Sequence, residues 1–260
     1  DVYKRQILQN GSVFLPKEDR DMAEAVENVL KSYGVFVITG AGLKEIKEGT
    51  AVYTKNGEED TLDGDAILLA TGRGPNTEGL HAERAGVELT KRGAVVTDKH
   101  LRTTAENIWA AGDVCGNLQF TYISLDDSRI ILSDMQGDGS RTTENRGAFA
   151  YSVFMEPSFS RVGLSEKEAA DKGLNYRVVR MNTDMIPKAK VLRKTTGMLK
   201  AVIDKDSGKI FGAALFCPES YEIINMVKLA MDHDLDYTVL RDFIYTHPTM
   251  SEGLNDLFAL

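Results

Sequence analysis

Hydrophobic residues change their spacing several times along the chain, and each change marks an element. Ile7 and Leu8 form a short apolar pair that predicts the end of a β-strand. From Pro16 the residues Met22, Ala23, Val26, Val29 and Leu30 recur at three- and four-residue spacing, which predicts a helix up to Gly34. Glu18, Asp19 and Asp21 fall in its expected first turn, where negative charge suits the helix dipole. Residues 35–38 read as a buried strand, and residues 51–54 and 60–62 as strands flanking Asn56-Gly57, a pair that supplies the positive φ angles of a tight hairpin. Residues 66–70 form an uninterrupted apolar run, the pattern of a strand covered on both faces. Residues 94–96 and 108–111 read as further strands, the second stopping at Gly112-Asp113.

After about residue 146 the pattern predicts a separate α+β unit, with strands at Val178-Val179, 198–203 and 210–216. Gly208 lies in a 204–208 turn between the last two. Ser165 followed three residues later by Glu168 is a capping box, opening a short helix that ends at Gly173. Ile223, Ile224, Met226, Val227, Ala230 and Met231 form another apolar helical face, read as core or interface. The strand, helix, strand, hairpin, strand order of the first part points to an α/β nucleotide-binding layer, because parallel neighbours need a helical crossover between them.

Composition removes several function classes. With 42% hydrophobic and 27% charged residues among 260, the chain is globular in composition, neither disordered nor fibrous. Its 31 basic and 39 acidic residues give a net charge of -8 with no basic stripe, so no nucleic-acid partner is expected. No apolar run approaches the roughly 18–20 residues of a membrane span, and the first residues lack a signal-peptide layout. A cytoplasmic protein with no membrane partner is expected. Cys115 and Cys217 form no CxxC pair and read as reduced, semi-buried thiols. No metal site is expected, since His81, His100 and His233 have no ligand spacing and read as solvent-facing. Trp109 reads as strand core.

Gly112-Asp113, at the carboxyl end of an expected buried strand, places a small residue where backbone can approach a ligand and then an acceptor suited to sugar hydroxyls. A bare Gly-Asp pair is equally a turn after a strand. Its company narrows the choice. Ala70-Thr71-Gly72-Arg73-Gly74-Pro75-Asn76, then Ile108-Trp109-Ala110-Ala111-Gly112-Asp113-Val114, then His247-Pro248-Thr249-Met250-Ser251-Glu252 follow one another at domain-sized separations. With Pro157 and Val162-Gly163-Leu164, they make residues 7 to 260 resemble the pyridine nucleotide-disulfide oxidoreductases, flavoproteins that include dihydrolipoamide dehydrogenase, glutathione reductase and mercuric reductase. The stretches 119–127 and 151–155 look most like the bacterial reactive-chlorine-resistance and mercuric-reductase-like subgroup. Phe120-Thr121-Tyr122 departs from the Leu-Ala-His-type stretch of dihydrolipoamide dehydrogenase and glutathione reductase.

The resemblance implies an α/β fold in which partial Rossmann-like NAD(P)- and FAD-binding layers precede an α+β interface, or dimerisation, domain. The implied segments are 7–72 (NAD(P)H-binding, truncated), 73–145 (carboxyl-terminal part of the FAD-binding domain) and 146–260 (dimerisation). It implies FAD and NAD(P)H as cofactors, a homodimer, and a disulfide or other small-molecule substrate. Gly72, Arg73, Gly112, Asp113, Thr121 and Tyr122 would bind cofactor, with Thr121 and Tyr122 opening a helix that faces the flavin. His247 and Glu252 would be catalytic, the histidine exchanging protons with a cysteine pair of the other subunit and the carboxylate holding its ring. Neither GxGxxG turn of the family occurs here, and Cys115 and Cys217 match neither redox cysteine, so the chain is expected to open inside a strand of a longer enzyme and to be inactive alone. Gln9, near the end of that strand, suits either nucleotide. The alternatives are a non-catalytic dimerisation module and a piece of a dihydrolipoamide dehydrogenase.

Overall fold

The computed structural model describes residues 5–260. In chain order its elements are β1 (Arg5–Gln9), α1 (Arg20–Ser32), β2 (Val35–Thr39), β3 (Gly42–Lys47), β4 (Thr50–Lys55), β5 (Glu58–Asp63), α2 (Thr121–Gln136), β6 (Ala150–Val153), β7 (Phe159–Gly163), α3 (Glu166–Asp171), β8 (Tyr176–Asn182), α4 (Pro187–Leu192), β9 (Met198–Asp204), β10 (Ile210–Phe216), α5 (Ser220–Asp232), α6 (Thr238–Arg241) and α7 (Gly253–Ala259). They divide into two compact units: the segment up to Ile67 together with Ala148–Leu260, and Leu68–Gly147.

The first unit is layered about a five-stranded antiparallel sheet of order β6-β7-β10-β9-β8. Alternation along its strands sends one set of side chains to each face. Val162, Leu199, Ala201, Ile203, Ala213 and Leu215 pack with α5 and α7 through Ile223, Val227, Leu254 and Leu257. The opposite set, Phe159, Ala214 and Phe216, meets α1 through Met22, Val26 and Val29. The helix of the nucleotide-like layer and the dimerisation-like sheet therefore share a core. That layer is β1 paired parallel with β2, the two joined through α1 as parallel neighbours need a crossover connection. An antiparallel β3-β4-β5 sheet follows it. Asn56 and Gly57 sit at φ of 54° and 85° in the β4–β5 turn, as the hairpin reading predicts.

Several expectations are corrected. Helix α1 starts at Arg20, so Glu18 precedes it and Asp19 is its N-cap. In β2 only Val35 is fully buried and Phe36 is half exposed, because the strand has a neighbour on one side alone among the described residues. Strands β3, β6 and β7 were not expected; each is short, mixed in polarity or built of small residues.

The second unit, Leu68–Gly147, has no strand among its described residues. Residues 66–70 are irregular, with Leu68 89% exposed, and the 94–96 and 108–111 runs make only the isolated bridges Leu89↔Val95 and Arg102↔Trp109. The backbone bonds of the last two runs are scattered, with the Val95 amide donating to the Val114 carbonyl, Val96 to Glu88 and Ala110 to Leu101, so no continuous ladder forms. A small cluster of Leu101, Cys115 and Ile130 forms its core. The capping box at Ser165 is present in full, its hydroxyl accepting from the Glu168 amide.

Candidate functional site

In the second unit, the turn after Ala111 is set by Gly112 at φ 74°, a left-handed angle that glycine adopts without strain. A Cβ there would lie 2.7 Å from Ser124 Oγ. The Gly112 amide donates to Asp127 Oδ2 at 2.8 Å. Asp127 is buried on α2 and is held by Arg146 at 2.8 Å, while Arg146 also lies 3.4 Å from Asp126. These residues were missed from sequence. Their signal was two adjacent acids inside a helix otherwise buried through Ile123 and Ile130.

Asp113 itself is half exposed, 3.7 Å from Arg73 Nη1, and Arg73 Nη2 donates to the Gln119 carbonyl at 3.2 Å. Arg73, Asp113 and the residue before the α2 N-cap therefore come together. Thr121 and Tyr122 open the 16-residue helix α2, whose N-cap Phe120 offers no side-chain acceptor to the first amides. Tyr122 is 74% exposed. Gly72 sits at φ 132° with open space around its Cβ position. Two glycines at positive φ, uncapped helix amides, an exposed guanidinium and a half-exposed carboxylate fit the phosphate and sugar part of a dinucleotide better than an apolar ligand.

The first unit holds the other candidate. His247 lies in an irregular stretch, since α6 ends at Arg241; this corrects the expectation of a helix before it. Asn255 Nδ2 ties the stretch down by donating to the carbonyls of Leu240, Arg241 and Phe243. His247 Nδ1 hydrogen-bonds Glu252 Oε2 at 2.9 Å. The ring is 72% exposed and the carboxylate 14%. Met250 and Leu254, both fully buried, anchor the chain on either side of Glu252. Gly253 lets α7 approach the sheet side, as a Cβ there would meet Ile186 at 2.7 Å. When Nδ1–H donates to the carboxylate, Nε2 is the basic nitrogen, and the fixed ring can take up and return a proton.

The remaining sequence candidates are less engaged. Gln9 ends β1 as expected, and its Nε2 donates to the Val13 carbonyl at 2.6 Å. His81 and His233 are exposed, whereas His100 is half-buried, 3.8 Å from Asp134, which corrects its solvent-facing reading. Trp109 Nε1 donates to the same Asp134, so the indole is partly buried and polar-tethered rather than strand core. Cys115 and Cys217 are free and buried. Burial, reinforced by Asp127, pushes the Cys115 thiol up to about 11, and burial pushes Cys217 up to about 12, so both stay protonated and unreactive near neutrality. Among the described residues no group of three or more His, Cys, Asp or Glu could hold a metal, and no helix is long and apolar enough to cross a membrane.

Comparison with known proteins matches two family profiles. One, described as pyridine nucleotide-disulphide oxidoreductase, covers residues 3–128, and the other, the dimerisation domain of the same group, covers 149–258. The chain is 48% identical over 257 residues to the Escherichia coli K12 protein RclA, described as a probable pyridine nucleotide-disulfide oxidoreductase, covering 99% of this chain and 58% of that one. It is 33% identical over 253 residues to a Staphylococcus aureus mercuric reductase, covering 95% and 46% respectively. The solved structure of the HOCl-induced flavoprotein disulfide reductase RclA from E. coli superposes with a TM-score of 0.92 at 47% identity, over 98% of this chain and 59% of that one. The LpdA structure from Mycobacterium tuberculosis shares the fold, with a TM-score of 0.87 at 23% identity. The chain thus spans about half the length of the relatives it matches.

Proposed function

Because the chain belongs to the pyridine nucleotide-disulfide oxidoreductase family and carries its dimerisation domain, we propose that it is the carboxyl-terminal part of an FAD-dependent NAD(P)H oxidoreductase. The proposed substrate is a disulfide, an oxidising metal ion or a hypohalous species. The similar RclA structures, described as HOCl-induced and as a Cu(II) complex, favour the last two. The chemistry that FAD supplies when bound is two-electron exchange between the nicotinamide nucleotide and a cysteine pair.

The single observation that carries this reading is the 2.9 Å hydrogen bond between His247 and Glu252. Glu252 fixes the ring, while Nε2 takes a proton from a thiol of the partner subunit and returns it to the leaving sulfur. Gly72, Arg73, Gly112, Asp113, Thr121 and Tyr122 hold the dinucleotide, with Asp127 and Arg146 fixing the Gly112 turn. Segments 7–72, 73–145 and 146–260 serve as nucleotide, flavin and dimerisation parts of a cytoplasmic homodimer.

The test compares visible absorption and elution volume for the purified chain and for the product extended at its amino terminus through the full gene. A yellow, dimeric, NAD(P)H-consuming longer product is expected. In that product His247→Ala should lower turnover by about 10²–10⁴-fold, the range for a lost general acid–base group, and Glu252→Gln by less. A colourless longer product overturns the reading in favour of a non-catalytic dimerisation module.

A further inference from the structure

The five-stranded sheet presents to α1 one row of side chains that crosses every strand. Tyr151 of β6 pairs with Arg161 of β7, Arg161 with Ala214 of β10, Ala214 with Lys200 of β9, and Lys200 with Arg180 of β8. Directly opposed residues lie on one face. The small Ala214 at the centre leaves room for the long side chains beside it to reach upward.

Every polar member of the row meets the entry to α1. The Tyr151 hydroxyl donates to Glu18. Arg161 Nη1 donates to the Lys17 carbonyl at 2.6 Å and lies 3.4 Å from Glu18. Lys200 Nζ is 2.8 Å from Asp19 and 3.1 Å from Asp21, and Arg180 Nε is 2.9 Å from Asp21. Helix α3 closes the other side, with Glu166 2.7 Å from Lys200 and Glu168 paired to Arg161. Lys200 is 2% exposed and Arg161 8%. Cations so deeply buried are costly unless carboxylates are fixed around them. Met22, Val26 and Val29 already attach the rest of α1 by apolar contact, so the polar row acts on the stretch just before the helix.

That stretch, residues 10–19, begins where β1 ends at Gln9 and folds back on itself. Gln9 Nε2 holds the Val13 carbonyl, Arg20 donates to the carbonyls of Phe14, Leu15 and Glu18, and Leu15 sits at a left-handed φ of 44°. The Gly40 amide donates to the Gly11 carbonyl, tying the loop to the end of β2. In a Rossmann-like layer the carboxyl ends of parallel strands are the ligand side. We propose that Arg161 and Lys200 of the dimerisation sheet are positioning residues for the nicotinamide nucleotide, clamping the 10–19 loop so that the end of β1 keeps the shape that receives the adenosine ribose. This rests on the nucleotide-binding reading of segment 7–72.

Amide hydrogen exchange on the 260-residue chain, with saturation-transfer NMR using 5′-AMP and 2′,5′-ADP as probes, tests it. Arg161→Met and Lys200→Met are each expected to speed exchange in residues 10–24 at least tenfold while β10 and α5 keep their protection, with Lys200→Arg restoring slow exchange. Asp19→Asn combined with Asp21→Asn approaches the same contacts from the helix and leaves the sheet untouched; it should give the same result should a sheet variant fail to fold. Probe saturation should fall in the variants that speed exchange. Unchanged exchange at 10–24 in the sheet and helix variants overturns the clamp. Faster exchange with neither probe binding the unsubstituted chain leaves a mechanical clamp, but overturns the positioning role together with the nucleotide reading of 7–72.

Discussion

The two units are held together by different forces. The unit around the five-stranded sheet buries a continuous apolar cluster that includes Val162, Leu199, Leu215, Ile223 and Phe258, with a second cluster under α1. The Leu68–Gly147 unit has a small apolar centre of Leu101, Cys115 and Ile130, with Val87, Ala94, Val95 and Ile123 buried outside that cluster. It relies on polar tethers: Arg102 and Trp109 on Asp134, Arg146 on Asp126 and Asp127, and Thr77 on the Gly93 carbonyl. Leu68, Leu69 and Leu80 stand 89%, 63% and 62% exposed in it. Apolar burial is non-directional and survives small shifts, whereas tethers work at fixed geometry. The difference predicts two stabilities within one chain.

The largest expected effect is a separation of unfolding transitions. Trp109, the sole tryptophan, reports the tethered unit, while far-UV circular dichroism is dominated by the sheet unit. In urea the tryptophan fluorescence should change first. Leu215→Ala should then destabilise the sheet unit by about 2–5 kcal/mol and move only the dichroism transition, because the fully buried side chain leaves a cavity. Leu69→Ala should change either transition by less than about 0.5 kcal/mol, since that leucine already faces solvent. Coincident transitions that shift together would break the comparison.

Next in size is Asp127→Ala, which removes the acceptor of the Gly112 amide and one partner of Arg146. Leaving buried donors unpaired costs about 1–3 kcal/mol, so the fluorescence midpoint should fall and the dichroism midpoint should hold. A substitution that moved neither would show that the polar tethers are passive.

The same contrast explains what the sequence made legible. In the sheet unit, the 198–203 and 210–216 runs, the capping box and the Asn56-Gly57 turn each became the expected element, because their partners lie within reach in the same chain. Residues 66–70, as apolar as any, did not form a strand, since pattern states what a segment would bury and not whether a neighbour exists to bury it. Of the site, His247 and Glu252 were legible and are in contact, as are Arg73 and Asp113. Asp127, Arg146 and the row from Tyr151 to Arg180 were hidden because their meaning lies in register across strands or between helix and loop. A buried lysine such as Lys200 reads in sequence like any strand lysine.

A smaller effect is Ser165→Ala, which removes the hydroxyl acceptor of the α3 capping box and should cost about 1 kcal/mol in the sheet unit alone, read from its dichroism midpoint.

The smallest effect near neutrality sharpens the contrast within the sheet unit itself, where the 13-residue helices α1 and α5 cover opposite faces of one sheet. Burial would raise the Asp19 carboxyl, but the Lys200 hydrogen bond and the Glu166 and Lys167 amides outweigh it and hold it below 3.8. Burial likewise works against the Lys200 ammonium, but its contacts with Asp19, Glu166 and Asp21 raise it above 10.5. A depressed carboxylate contributes stability above its unfolded value and loses it as pH falls through the folded one; a raised lysine keeps its contribution below its unfolded value and loses it as pH rises. Exchange at the start of α1 should therefore stay flat between about pH 5 and 9 and quicken, after correction for intrinsic rates, below about pH 4 and above about pH 10.5. Helix α5, attached through Ile223, Ile224, Val227 and Ala230, should show neither limb. Parallel pH profiles for the two helices would mean that charge does not distinguish the faces, and that α1 is held by Met22, Val26 and Val29 alone.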